Sequence, residues 1–498
     1  MRGIDTNRTI HTHSTTPFVG RTSAEGLAIH VTRPPSVDGS GTARSWHDGA
    51  VPRPSSDAAA ARRSVDRDIL RLALPSLGAL VAEPLFVMTD SAFIARVGTT
   101  SLAGLGLAST VLTTVVGLSV FLAYSTTAAV ARAFGAGRIR EAIARGVDAA
   151  WLALLIGAGC LLVLAALGPT LLGLFGAGDA VTDQASVYLR ISAFGLPAML
   201  SVQATTGLIR GLQDARLPLI VAVGGALLNI PLNALLIFGL DLGIAGSAIG
   251  TVISQWLMAL VLLAVVVRHA RRQDVALRPH PGSVAATGRE SLPMFVRTLS
   301  LRIVTIATVL VAARLGEVQL AAHQLASTVF MLLSLALDAL AIAGQALTGR
   351  HLGAAETDTV HAVTSRLTRW GVGGGAVVGV VLLGASYVVP SVFSPDPAVQ
   401  ESLRAALWVL VIAQPVAGYV FVLDGVLMGA GDAPYLARAG MLTMLAVLPF
   451  AAIVWLWAPG GPLGLAALWV ATNLLFMVAR AVALGVRVRG DDWMRTGA

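Results

Sequence analysis

The chain has 498 residues, of which 55% are apolar and 12% charged, against about a quarter charged in soluble domains, so a soluble fold is excluded. Its net charge of +8 comes from 35 basic residues, all of them arginine. They cluster at the N-terminus and in the gaps between apolar runs, which membrane orientation explains better than a nucleic-acid partner does.

In chain order, residues 1–64 come first. They are rich in Ser, Thr, Pro, Gly, Arg and His, and hold no apolar run of signal-peptide length, so they read as a disordered cytoplasmic tail. His11 and His13 could meet a metal, yet two histidines in so polar a segment are more often solvated. From Arg71 onward twelve apolar stretches recur, each close to the ~20 residues that cross a bilayer. They cover 71–95, 102–131, 147–168, 187–209, 217–239, 243–267, 290–313, 320–348, 370–390, 405–428, 434–457 and 461–484. One alternating set of loops, with the adjoining terminal segments, holds 22 arginines and the opposite set four, which predicts that both termini are cytoplasmic. Cys160, the single cysteine, sits in an apolar run as a core residue and excludes dithiol and zinc-cluster chemistry.

An internal repeat is the strongest signal. At a shift of 218 residues Leu74-Pro75 falls on Leu292-Pro293, Ala95-Arg96 and Gly98 on Ala313-Arg314 and Gly316, and the run LASTV at 107–111 on LASTV at 325–329. Without a gap, Pro197 then meets Pro415, Gly207 and Gly211 meet Gly425 and Gly429, and Pro231 meets Pro449. The fold class is therefore all-α and polytopic: twelve transmembrane helices as two parallel six-helix repeats, related by a pseudo-twofold along the membrane normal. The expected organisation is an N-lobe over 65–270, a cytoplasmic linker over 271–289, a C-lobe over 290–488 and a cytoplasmic C-terminus over 489–498. The paired prolines are expected to set shared helix bends. Two facing bundles leave a cleft that opens to either side by rocking.

Function should lie where the copies differ. Glu83 and Asp90 are seven residues apart on the first helix, ~10 Å along it and on nearly the same face. Their second-copy positions are Leu301 and Thr308. Pro84, between them, frees the carbonyl of Leu80 and marks a hinge. An acid near the bilayer centre costs ~2.5–3.5 kcal/mol on insertion scales, so such residues face a cavity or a partner. Asp90, with Glu83 nearby, is then a proton carrier that is loaded from outside, changes the bend at Pro84 and expels substrate. Asn229 and Asn233, one turn apart on the fifth helix, and Thr251 and Gln255 on the sixth either line the same cation pocket or join helices by hydrogen bonds. In the second half Asp338 has Arg297 and Arg302 available for a structural ion pair, and Asp424 has local backbone or Arg438. Phe86, Phe93, Tyr124 and Trp256 line a pocket, pack or meet lipid.

No nucleotide, HExxH or GxSxG motif is present: Gly371 and Gly373 lack the third glycine, which is Ala376, and His323 has no evident partner. No cofactor, metal or enzymatic activity is expected.

Glu83-Pro84-Leu85 followed by Asp90-Ser91-Ala92, the Ala-Arg-x-Gly turn at 95 and 313, Ala336-Leu337-Asp338 and Asp424-Gly425, set on six-plus-six helices, resemble the multidrug and toxic compound extrusion (MATE) family. More narrowly, they resemble its DinF branch, over residues 67–488. The resemblance implies a cell-membrane antiporter that exports organic cations or amphipathic compounds in exchange for protons or sodium. Asp90 matches the coupling aspartate, Asn229 the fifth-helix asparagine and Thr251 the sixth-helix hydroxyl. Asn233 departs from the Asp often found in this branch, which makes a sodium site poorer in anionic ligands and favours protons. The superfamily's alternative is a flippase for lipid-linked sugar precursors, which would show a strongly cationic central cleft or extra helices, and neither is evident beyond Arg297, Arg302 and Arg480. One chain holds both lobes, so a monomer is expected.

Overall fold

The computed structural model describes residues 56–497, with side chains from residue 63; His11 and His13, expected to be solvated, lie outside them. The described residues form helices and turns with no strand. The helices are α1 (Ser56–Ala95), α2 (Thr99–Gly135), α3 (Ile139–Gly173), α4 (Asp179–Ala193 and Leu196–Gly211), α5 (Arg216–Gly239), α6 (Gly243–Arg272), α7 (Pro281–Leu315), α8 (Glu317–Gly353), α9 (Thr357–Ala385), α10 (Pro397–Gly429), α11 (Ala433–Trp457) and α12 (Pro462–Arg489). Eleven are long and apolar enough to cross a membrane, and α4, bent by 50°, makes twelve. Local chemistry fixes their ends. At α10, for example, the Asp396 side chain accepts from the Ala398 N–H at 2.8 Å while Pro397, lacking an N–H, takes the first helical position.

The repeat is visible in the backbone itself. Gly137 and Ala355, Gln213 and Gly431, and Gly243 and Gly461, each pair 218 residues apart, all adopt positive φ in the turns between helices. Ala355 and Gln213 take this conformation without being glycine, so the turn geometry is held by the packing of the repeat rather than by glycine alone.

The two copies meet in a reciprocal contact. A Cβ on Gly135 of α2 would strike the Arg350 carbonyl of α8, and a Cβ on Gly353 of α8 would strike the Arg132 carbonyl of α2. Since 135 and 353, like 132 and 350, are repeat-related, the contact is self-complementary, as at any twofold. Gly349 packs on Ala131 in the same seam. Small residues are what let two helix backbones approach this closely in lipid.

Polar contacts between the lobes are confined to this arginine-rich end, which also holds both ends of the described chain. Asp66 on α1 grips Arg366 on α9 at 2.5 and 2.6 Å. Arg145 meets Glu290 at 3.2 Å, Ser291 donates to Ser125 at 2.9 Å, Gln213 donates to the Ala346 carbonyl at 3.0 Å, and Gln345 donates to the Tyr124 carbonyl. No hydrogen bond or ion pair joins the opposite ends of the lobes among the described residues.

Several expected boundaries shift. Helix α1 begins at Ser56, so residues 56–64 are helical rather than part of a disordered tail. The connection between lobes is reduced to 273–280, because α6 and α7 extend into it, and it is pinned where Trp151 donates to the Leu277 carbonyl at 2.9 Å. The C-terminal segment is docked: Trp493 is 1% exposed, and Arg132 reaches the carbonyls of Ala430, Arg495 and Gly497. One shared proline pair, Pro197 and Pro415, does not impose a shared bend. Helix α4 breaks just before Pro197, while α10 runs unbroken through Pro415. At the break Trp256 donates to the freed Phe194 carbonyl at 3.0 Å, and the Gly195 position is Ala413 in α10.

Gly353→Val, in a Cys160→Ser background with spin labels replacing Arg138 and Glu356, is expected to lengthen the label separation by pushing the lobes apart. An unchanged distance distribution would show that this seam does not seal the arginine-rich end. Trp493→Ala should cost about 3 kcal/mol of stability, read as a lower Tm, because it leaves a large cavity under the docked segment.

Candidate functional site

Helix α1 delivers Asp90 to the inside of the N-lobe, where it is 4% exposed. Three helices supply donors to it. Thr251 Oγ1 on α6 donates to Oδ2 at 2.9 Å, Tyr188 Oη on α4 donates to Oδ2 at 3.4 Å, and Asn233 Nδ2 on α5 donates to Oδ1. Asn233 Nδ2 also donates to Asn229 Oδ1 at 2.8 Å, so the asparagines stand behind the carboxyl in a fully buried row. Local structure explains the row. Pro231 lies between the two asparagines without an N–H to donate, and directly after Asn233 the helix widens into a π turn over Ala234–Gly239, a distortion that recurs at functional sites. Gly250 on α6 leaves the space that Asn233 Oδ1 fills. Asn233 Oδ1 and Asn229 Nδ2 are buried with no hydrogen-bond partner among the described residues. This pocket therefore has polar capacity beyond the contacts it makes.

Asp90 borders a chamber of about 290 Å³ inside the N-lobe. Glu83 is exposed along the same wall, one stripe of α1 as its seven-residue spacing predicts, with Phe86 between them. Gln255 lines the chamber and makes no contact with Asp90. Pro84 lies inside a continuous α1. Of the other aromatics, Phe93 stacks against Phe238 with ring centroids 6.0 Å apart, Tyr124 lies on the lobe seam and Trp256 holds the α4 bend.

The C-lobe differs from its expected pairing. Asp424, not Asp338, holds the buried arginines: Arg297 reaches both of its oxygens, through Nε at 3.3 Å and through Nη2, and Arg480 Nη2 donates at 2.8 Å. Arg438 instead bonds the Pro434 carbonyl of its own helix at 3.2 Å, Arg302 leans on α2 at Gly117, and Asp338 has no ion pair among the described residues. Arg480 lies too far along the chain for sequence spacing to have paired it with Asp424.

The triad has a structural counterpart. Its residual cavity, about 10 Å³, is lined by Arg297, Leu301, Asp424, Leu436 and Arg480 among others. At the 218-residue offset these become Ala79, Glu83, Thr206, Pro218 and Leu262, all of which line the N-lobe chamber. The hollow around the triad thus corresponds to one part of the N-lobe chamber, filled by ionic side chains in the second lobe and open in the first. Sequence reasoning missed Tyr188, Arg210 and Arg480 as site residues; their repeat positions are Ala406, Met428 and Leu262, so the same comparison of copies would have found them.

Asp424→Asn leaves two buried guanidinium groups without an anion and is expected to destabilise by about 3–5 kcal/mol. Asp338→Asn, which removes no ion pair, should leave Tm within a degree or two of wild type by the same reasoning. Equal losses in thermal unfolding would show that Asp424 is not the anchor.

The comparisons with known proteins agree with this architecture. The MatE family profile matches twice, over residues 75–235 and 293–453, the two matches lying 218 residues apart and together covering well over half of the chain. The chain is 28% identical over 483 residues to Protein DETOXIFICATION 43 of Arabidopsis thaliana, across 84% of this chain and 90% of that protein. It is 29% identical over 441 residues to DNA damage-inducible protein F of Escherichia coli (strain K12), across 84% and 91%. Its fold superposes with a TM-score of 0.78 on the Vibrio cholerae MATE transporter VcmN in the bent form, at 22% identity, covering 87% of this chain and 99% of that one. The chain therefore belongs to the MATE family of membrane transporters, in its DinF-like branch.

Proposed function

We propose that this chain is a secondary active multidrug antiporter that exports organic cations or amphipathic compounds in exchange for protons, or sodium. The observation that carries the reading is Asp90: an acid buried at the wall of an internal chamber, ringed by Thr251, Tyr188 and Asn233. A carboxyl in this position trades one proton for one negative charge next to the space a substrate would fill. Ionised, it attracts a cation and accepts all three hydrogen bonds; neutral, it loses that attraction and releases what the chamber holds. Glu83, exposed on the same wall, supplies the approach. Pro84 lets α1 flex between them, since the helix lacks the hydrogen bond to the Leu80 carbonyl.

The seam supports a reading of alternating access. The lobes are closed at the arginine-rich end, and the excess of positive charge there supports a cytoplasmic placement of that end and of both termini. Rocking about the Gly135 and Gly353 contact would break the Asp66–Arg366 and Arg145–Glu290 pairs and open that side. Each lobe is a six-helix unit, over 65–270 and 290–488. The protein works as a monomer in the cell membrane, because one chain supplies both lobes.

Purified protein in inverted vesicles is expected to move a fluorescent cation when a proton gradient is imposed, and to a lesser extent with a sodium gradient. Asp90→Asn should reduce gradient-driven transport at least ~100-fold while leaving Tm within a few degrees, as expected for loss of the one proton-carrying group of the cluster. Full transport by the Asp90→Asn protein would overturn the mechanism.

A further inference from the structure

On either side of the glycine seam the lobes meet along a flank, and the 218-residue offset makes the two flanks comparable position by position. On one flank α1 packs against α8 and α9 through Ile69, Leu72, Leu347, Val363 and Leu367, members of one core and each at most 3% exposed. On the other, α7 faces α2 and α3 across a cavity of about 460 Å³. At the offset the five apolar residues become Thr287, Glu290, Ala129, Arg145 and Ala149, and all five line that cavity. Ala73 and Ala343 likewise become Ser291 and Ser125 on its wall. Loose packing would remove volume alone. Here two replacements remove volume and the others bring in a charge or a hydroxyl, so the space is lined for a polar occupant.

The charges say which kind. Arg132, Arg145 and Arg289 line the cavity against a single acid, Glu290. Arg132 is committed to the carbonyls of Ala430, Arg495 and Gly497, and Arg145 gives Nε to Glu141 and Nη1 to Glu290. Arg145 Nη2 is left over, and exposed Arg289 enters no hydrogen bond or ion pair among the described residues. A buried hydroxyl adds to them. Ser125 and Thr127 bond back to the Phe121 and Ala123 carbonyls of their own helix. Thr126 between them, 4% exposed and on the cavity wall, has no hydrogen-bond partner among the described residues. Met294, Met428 and Pro434 complete the wall with apolar surface. A cation would find one carboxylate, already held by Arg145. An oxyanion would find donors from both lobes.

We propose that this hollow is an oxyanion site between the lobes, taking a phosphate group that is either soluble or carried by an anionic lipid headgroup. Arg289 on α7 and Arg145 on α3 supply the charge, and Thr126 on α2 a hydroxyl. Guanidinium groups meet phosphate through paired, charge-assisted hydrogen bonds. Because the donors come from both lobes, a bound phosphate holds the arginine-rich end closed. The site shares no lining residue with the chamber beside Asp90 and does not depend on the transport reading.

The test follows thermal unfolding of the full-length protein in a non-ionic detergent. One titration uses inorganic phosphate, with chloride at matched ionic strength as control, and a second uses phosphatidylglycerol, with phosphatidylcholine as control. At least one probe is expected to raise Tm by several degrees over its control, since a ligand of the folded state stabilises it. Arg289→Gln and Thr126→Val should each raise the concentration that gives half this effect about tenfold, through loss of a charge-assisted hydrogen bond. Arg71→Gln, which removes the repeat-related arginine from the packed flank, should leave it unchanged. Thr287→Ile, which installs the packed flank's residue, should fill part of the hollow and weaken binding without lowering the Tm of the free protein. A response to phosphate assigns the site to a soluble phosphate, and a response to phosphatidylglycerol alone assigns it to a lipid headgroup; either supports the proposal. No stabilisation by either probe over its control, or equal losses for Arg289→Gln and Arg71→Gln, would overturn it.

Discussion

Charge cannot be left unanswered inside a hydrocarbon slab, and the architecture of this protein is organised around how each buried charge is answered. Asp90 is held by side chains from three other helices, Tyr188, Asn233 and Thr251, so the position of α1 is tied to α4, α5 and α6 through a single carboxyl. Asp424 does the same in the C-lobe, joining α7 and α12 to α10 through Arg297 and Arg480. These ties differ in kind. The first uses neutral donors, which remain satisfactory partners whether the carboxyl is charged or neutral, and so suits a group that changes state. The second uses two cations, which require the carboxylate to stay ionised, and so suits a group that does not.

That difference gives meaning to the shared cavity. The repeat offset maps the lining of the small C-lobe hollow onto one part of the N-lobe chamber. In the C-lobe Arg297, Asp424 and Arg480 fill it, leaving about 10 Å³; in the N-lobe Ala79, Thr206 and Leu262 stand at the same positions and leave about 290 Å³. One lobe therefore has room for a ligand beside its acid, and the other has converted that room into a fixed electrostatic core. The seam between the lobes remains symmetric, with Gly135 and Gly353 each seated on the other helix's backbone. Symmetry is kept at the seam between the lobes and lost where their hollows hold different side chains.

The sequence by itself determined the twelve spans, the two copies and the acidic stripe of the first helix. Those features rest on local rules: apolar length against bilayer thickness, a fixed offset between matching residues, and the angular spacing of helical positions. It also brought Asn229, Asn233 and Thr251 into the right cluster, because their helices and depths were legible from the same rules. What only the tertiary structure decided was pairing over distance. Asp424 takes Arg297 and Arg480 rather than Arg438, and Asp338 is left out, because the outcome depends on how five helices rotate about their axes when packed. The bend at Gly195 but not at Ala413 depends likewise on Trp256 arriving from another helix to receive the freed carbonyl. The docked C-terminal segment follows from Trp493 finding a buried site and from Arg132 reaching its carbonyls across the lobe boundary, where no periodicity along the chain could register it. Helix and span are properties of neighbouring residues, whereas the choice of partner belongs to the whole packed assembly.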